Sequence, residues 1–424
     1  MIATLIIIFI AGYAAIALEH SININKAATA LITGVLCWTV YILSEDSTHV
    51  LTHLGEHLGE LSGILFFLLG AMTIVELIDV HGGFNIITDK IKQTDKRKLL
   101  WIVSGITFLL SPMLDNLTTT IVMVSLLRKL IKDPEDRLYF IGMVIIAANA
   151  GGAWSPIGDV TTTMLWIGGQ ISALNIILKL ILPSLTCVLV PLAILSLRIK
   201  GAVERPETVQ DSSQPSSLSG REQRIIFFSG ISLLVSVPVF KTLTHLPPYM
   251  GILLGLGILW VITEIIHGSK NDEERVQLSV AHALQKIDAP SILFFLGILL
   301  SVAALQSAGI LTSLSTLMSE KVGNINVIVL MMGVLSSIVD NVPLVAAAQG
   351  MYDLNTYPTD HYFWEFLAYA TGTGGSILII GSAAGVAAMG MEKISFGWYL
   401  KNISWLTLIG YFAGAFVYIL QDLL

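Results

Sequence analysis

Apolar runs of 17 or more residues recur along this chain from its first residues to its last. Runs of that length match the thickness of a bilayer, where each backbone group must find its partner inside its own segment. The runs are continuous and do not alternate. A β-barrel is therefore excluded, and the chain reads as an all-α polytopic membrane protein. Only 12% of the 424 residues are charged, against about a quarter in a soluble domain. The net charge of −7 points to no particular partner, and nothing suggests nucleic acid. Cys37 and Cys187 lie inside apolar runs and read as small core residues. The N-terminal run has no basic stretch before it and no small-residue cleavage site, so it reads as a first spanning helix.

Two polar interruptions stand out. Ser111-Pro112-Met113-Leu114-Asp115-Asn116-Leu117-Thr118 lies between apolar arms, and Ser336-Ser337-Ile338-Val339-Asp340-Asn341-Val342-Pro343 repeats it. An aspartate at the centre of a membrane helix costs about 2.5–3.5 kcal/mol even on a lenient scale. A chain that carries this cost twice, each time followed by Asn, is using the carboxylates. Segment 99–132 is basic at both ends (Lys96, Arg97, Lys98; Arg128, Lys129, Lys132), which favours the cytoplasm for both. A re-entrant hairpin with 111–116 at its tip satisfies that, its arms being too short to span. Segment 325–351 is the second hairpin. Spans 138–168 and 362–390 are broken by Gly and Pro, at Asn149 to Asp159 and at Thr371 to Ser376 with Gly381-Ser382.

The halves align. Ile64–Leu68 recurs as Ile292–Leu296, Asp115-Asn116 as Asp340-Asn341, and Gly151-Gly152 as Gly374-Gly375. The fold expected is an inverted repeat, each half with five transmembrane crossings, a re-entrant hairpin and one broken helix. This topology puts all but Lys179, Lys241 and Lys321 of the Lys and Arg residues on the cytoplasmic side and both termini outside. Residues 44–60 read as a short external stretch before a third span at 61–79, and 201–224 as a cytoplasmic linker.

Matched broken segments point to a shared binding site. Asp115, Asp159 and Asp340 bring charge to it. Asn116, Thr118, Asn149, Ser155, Thr161, Thr162, Ser336, Asn341, Thr371, Thr373 and Ser382 bring neutral oxygens. Such hard ligands suit a small hard cation or protons, and no Lys or Arg is expected beside either tip. A carboxylate so placed can hold a proton or a metal ion, not both. Na+ or Li+ at Asp115, Asn116, Asp340 and Asn341, displaced by protons, would give obligatory exchange, with no cofactor besides the transported ions. Glu76, deep in the third span, is a candidate for a proton path. Plainer roles stand beside these. A lone intramembrane Asp can be a pairing partner, and Asp159 can cap the second half of its broken helix. His20 and His81 are candidates for sensing pH, but lone histidines near helix ends read more plainly as solvated. His53-Leu54-Gly55-Glu56-His57 matches the H-x-x-E-H pattern of a membrane zinc peptidase, but it repeats His-Leu-Gly-Glu and reads better as an interfacial helix. The rival function is a Na+- or H+-coupled carboxylate or oxyanion carrier on the same fold.

The tip sequences, the run Asn149 to Thr162, Gly381–Gly390, and Glu19-His20 with Asn25-Lys26-Ala27-Ala28 together resemble the NhaD type of bacterial Na+/H+ antiporter, over essentially the whole chain. The resemblance implies the ion transporter superfamily, a homodimer in the bacterial inner membrane, and elevator-like alternating access. It also implies a scaffold (1–98 and 225–324) beside a moving transport domain (99–200 and 325–424). Dicarboxylate relatives carry Ser-Asn-Thr at their tips, whereas this chain carries Asp-Asn. Pro343 stands where the first tip has Thr118, so the two tips cannot be equivalent donors.

Overall fold

The computed structural model describes residues 1–424 apart from 18, 23, 89, 207–218, 269 and 424. Most of the expected 201–224 linker, and Asn23 in the first turn, lie outside the described residues. The helices of the first half are α1 (Ile2–Ala17), α2 (Glu19–Ile22), α3 (Lys26–Ile42), α4 (Ser47–Val80), α5 (Asn85–Thr88), α6 (Lys96–Leu114), α7 (Asn116–Leu130), α8 (Pro134–Ala153), α9 (Val160–Ile167) and α10 (Ala173–Arg198). The second half holds α11 (Gly220–Thr244), α12 (Pro248–His267), α13 (Asp272–Gln277), α14 (Val280–Lys286), α15 (Ala289–Ser307) and α16 (Ile310–Lys321). It continues with α17 (Ile325–Leu335), α18 (Asn341–Met351), α19 (Tyr362–Gly374), α20 (Ala383–Glu392), α21 (Phe396–Tyr399) and, after a π-helical turn at Leu400–Ser404, α22 (Trp405–Leu423). Among the described residues no strand forms, and seven helices are long and apolar enough to cross a membrane. The protein is a multi-pass helical membrane protein.

Two of the sequence boundaries move. Residues 44–60 do not form a separate external piece. Asp46 caps a single helix that runs unbroken through Glu56 and Glu60 into the apolar part of α4. Gly55 and Gly59 weaken helix propensity by only about 1 kcal/mol each, which cannot break so long a helix. The first arm of the first hairpin, expected to be too short to span, is one of the seven helices long and apolar enough to cross a membrane. Asp95 caps α6 at the basic residues, making it 19 residues, or about 28 Å.

The helices pack in two sets. In one, α3 lies along α15 with α1 beside it, and α4 packs on α12, α14 and α15. In the other, α6 and α7 pack on α8, α17 on α19, and α10 on α22. Contacts of α15 with α18 and of α4 with α9 join the sets. Close approach of backbones sets the pairing around the breaks. A Cβ at Gly151 would lie 2.7 Å from the Phe108 carbonyl oxygen, and one at Gly374 would lie 2.0 Å from that of Gly333. Only glycine lets the first arm of each hairpin lie this close to its broken helix.

Candidate ion-binding site

Four helix breaks meet in the interior, and each presents a capped helix N-terminus. Asp115 caps α7, Asp159 caps α9, Asp340 caps α18 and Ser382 caps α20. A helix N-terminus carries partial positive charge and favours negative charge beside it. Here three of the four carry their own carboxylate.

Asp159, almost fully buried, is the hub. Its Oδ1 accepts from the Thr161 amide at 2.9 Å and the Thr161 hydroxyl at 2.7 Å. From the first tip, Asn116 donates Nδ2 to Asp159 Oδ2 at 2.7 Å. From the second tip, Asn341 donates Nδ2 to both oxygens at 3.4 Å. One carboxylate thus both caps its helix and receives the asparagines of both tips. Asn116 Nδ2 also reaches Asn149 Oδ1 at 2.9 Å. Asn149 in turn donates to the hydroxyls of Ser376 and Ser382, each at 2.8 Å. The hydrogen-bonded network therefore branches at Asn116 of the first tip: through Asp159 it reaches the second tip, and through Asn149 it reaches the break of the second broken helix.

The outer aspartates differ from one another. Asp115 accepts from the Thr118 amide and hydroxyl, both at 2.8 Å, and takes φ 77° and ψ 161°. That region is nearly exclusive to glycine, so a non-glycine residue there stores about 1–3 kcal/mol of strain. Asp340 has an ordinary φ of −46° and accepts from the Val342 amide at 3.3 Å. Its Oδ2 faces Lys26 Nζ at 3.4 Å. This overturns the expectation that no Lys or Arg lies beside a tip. Lys26 is remote in sequence, and the fold returns it to the second tip from the start of α3.

A family model described as a citrate transporter (CitMHS) matches residues 5–364. Sodium/proton antiporter 1 of Arabidopsis thaliana is 50% identical over 97% of this chain and 71% of its own length. Sodium/proton antiporter 2 of the same plant is 47% identical over 97% of this chain and 98% of its own. The Na+/H+ antiporter NhaD of Vibrio cholerae serotype O1 is 30% identical over 98% of this chain and 91% of its own. The chain belongs to the CitMHS family, among its NhaD-type antiporters. That family consists of transporters, not enzymes.

In this NhaD-type chain several predicted ligands do other work. Ser155 Oγ donates to the Pro112 carbonyl at 2.8 Å and Ser336 Oγ to the Thr371 carbonyl at 3.0 Å. Each ties a hairpin to a broken helix. The hydroxyls of Thr371 and Thr373 turn back onto Leu367 and Tyr369 of their own helix. Thr162 makes a 3.5 Å contact with the Ala153 carbonyl across the first break. Glu76 lies on α4 outside the hydrogen-bonded network, one turn beyond Met72, which lines the cavity that also reaches Asp115 and Asn116. Na+ was expected at Asp115, Asn116, Asp340 and Asn341. The two asparagines meet at Asp159, and the two aspartates bond elsewhere. Ser376 joins the network although the sequence did not single it out. Its only signal was its place directly after Gly374-Gly375. His81, expected to be solvated, is fully buried with Nε2 2.8 Å from Nε2 of His267. In the H-x-x-E-H segment, His57 bonds Ser307 at 3.1 Å and the His53 ring lies tilted against that of His49, centroids 4.2 Å apart. Among the described residues no group of three His, Cys, Asp or Glu is placed to hold a metal ion in the manner of a zinc site.

Proposed function

We propose that the protein exchanges Na+ or Li+ for H+ across the membrane, the two taking turns on the buried carboxylates centred on Asp159. The observation that carries this reading is the convergence of Asn116 from one tip and Asn341 from the other on Asp159. A cation entering there would meet Asp159, the amide oxygens of Asn116, Asn149 and Asn341 after rotation, and the flanking Asp115 and Asp340. That is a hard oxygen set without thiolate or imidazole. A proton on the carboxylate removes the charge the cation needs, so one occupant excludes the other. The names of the three relatives above, each a sodium/proton antiporter, support the same reading.

The carrier alternative takes its support from the family description. A carboxylate substrate would have to approach helix N-termini that Asp115, Asp159 and Asp340 already cap, and like charge repels it. On our reading the hairpins are re-entrant, entering from opposite sides in an inverted repeat. The set containing α6–α10 and α17–α22 moves as an elevator against the set containing α1, α3, α4, α11, α12 and α15. The unit is a homodimer. Glu76 extends the proton route toward the cytoplasm. We place the chain in the bacterial inner membrane with both termini periplasmic. The experiment is dye-monitored antiport in inverted membrane vesicles. Na+ or Li+ is expected to dissipate a preformed pH gradient in wild type but not in Asp159→Asn. Carboxylate uptake without cation-driven proton movement would instead establish the carrier.

A further inference from the structure

Among the described residues, the only formal positive charge placed against a tip is a tethered one. Lys26 is the first residue of α3, and its backbone amide is held by Glu19 Oε1 at 3.0 Å. Its ammonium lies 3.4 Å from Asp340 Oδ2 and 4.4 Å from the centroid of the Phe294 ring on α15. The Lys26 and Asp340 side chains are 20% and 14% exposed, so water screens the pair only in part. Besides Lys26, the hydrogen bonds of Asp340 comprise one long amide contact, from Val342. The ammonium thus occupies the face of Asp340 that a bare cation would take. The pair also ties α3, which packs on α15 and α1, to α18, which Asp340 caps and which packs on α15 and α16 on one side and on α9 and α19 on the other. Lys26 has somewhere to go. It lines a cavity of about 190 Å³ together with Glu19 and Asp288, two other carboxylates.

We propose that Lys26 is a built-in competitor for the cation at Asp340. With the site empty, its ammonium neutralises Asp340 and ties α3 to the second tip. When Na+ arrives, Lys26 swings toward Glu19 and Asp288 and the tie is released. Any cation must therefore displace a charge of equal sign, and the empty carrier is held still. Lys26 is a positioning and specificity residue here, acting through Asp340. The proposal rests on the exchange reading above.

The test uses the full-length purified protein. Its thermal unfolding midpoint is followed against Na+, with choline keeping ionic strength constant. Lys26→Gln is expected to tighten the apparent Na+ affinity about five-fold, the size a partly exposed charge pair supports. Lys26→Arg, which keeps the charge, should lie nearer wild type than Lys26→Gln. Lys26→Cys should bind Na+ as Lys26→Gln does. Its affinity should return to the wild-type value after reaction with a methanethiosulfonate carrying an ethylammonium group, but not with one carrying an ethylsulfonate. The native Cys37 and Cys187 are buried. Unchanged or weaker Na+ affinity in Lys26→Gln, or equal rescue by both reagents, would overturn the proposal alone. A wild-type protein whose midpoint ignores Na+ would overturn the exchange reading and this proposal with it.

Discussion

The two hairpin tips carry the same Asp-Asn pair, yet the fold gives them opposite surroundings. Asp115 is held by neutral donors from its own helix in a backbone conformation that suits glycine. Asp340 sits in relaxed backbone and leans on a lysine from the start of α3. Each following asparagine reaches the same carboxylate, Asp159. Repetition in the sequence has thus produced a shared centre with unlike flanks. One flank is mechanically loaded and the other is charge-compensated. On the exchange reading, a site that holds a cation in one state and a proton in the next gains from this, because the flanks respond to different things.

That contrast can be broken in several ways. The largest effect belongs to the shared centre. Asp159→Asn keeps the shape and removes the charge, and should cost about 100-fold or more in Na+ affinity, read from the Na+ dependence of the thermal unfolding midpoint. A loss equal to that of a peripheral variant would remove Asp159 from the centre. Next comes the charge-compensated tip. Asp340→Asn leaves the Lys26 ammonium facing no carboxylate. It should lower stability by about 1–2 kcal/mol, below the range for fully buried pairs because this one is partly exposed. Adding Lys26→Gln should recover most of that in thermal unfolding. Asp115→Asn should not respond to Lys26→Gln.

The loaded tip makes a prediction of opposite sign. Asp115→Gly relieves the strained φ while giving up a cap that glycine nearly replaces, so unfolding should become harder by about 1 kcal/mol even as exchange weakens, by less than in Asp159→Asn. Asp340→Gly has no strain to relieve and should make unfolding easier. Equal signs at the two positions would erase the contrast. The smallest effect is at Phe294. Phe294→Leu removes the ring beneath the Lys26 ammonium and should weaken its hold by about 0.5–1 kcal/mol. It would appear as a slight tightening of Na+ affinity.

The sequence exposed the tips because a charge between apolar arms is expensive wherever the chain folds. Asp115, Asp340, the glycine-rich breaks and the asparagines could be found without coordinates for that reason. Asp159 was ambiguous, since a helix cap and an ion ligand look alike in one dimension. The Lys26–Asp340 pair spans most of the chain, and no local pattern announces it. Ser376 and the His81–His267 contact were hidden for the same reason: each depends on which helices end side by side. The continuity of α4 was missed because glutamates and glycines in its first turns look like a loop, whereas a long capped helix tolerates them.

The most direct measurement is proton release from the purified protein when Na+ is added in weak buffer, followed with a pH dye. The account predicts that wild type releases protons on binding Na+ where the site begins protonated. The required Na+ concentration should rise as pH falls, since protons then compete better. Asp159→Asn should release none through this site. Saturable Na+ binding with no proton release at any pH, or undiminished release from Asp159→Asn, would contradict it.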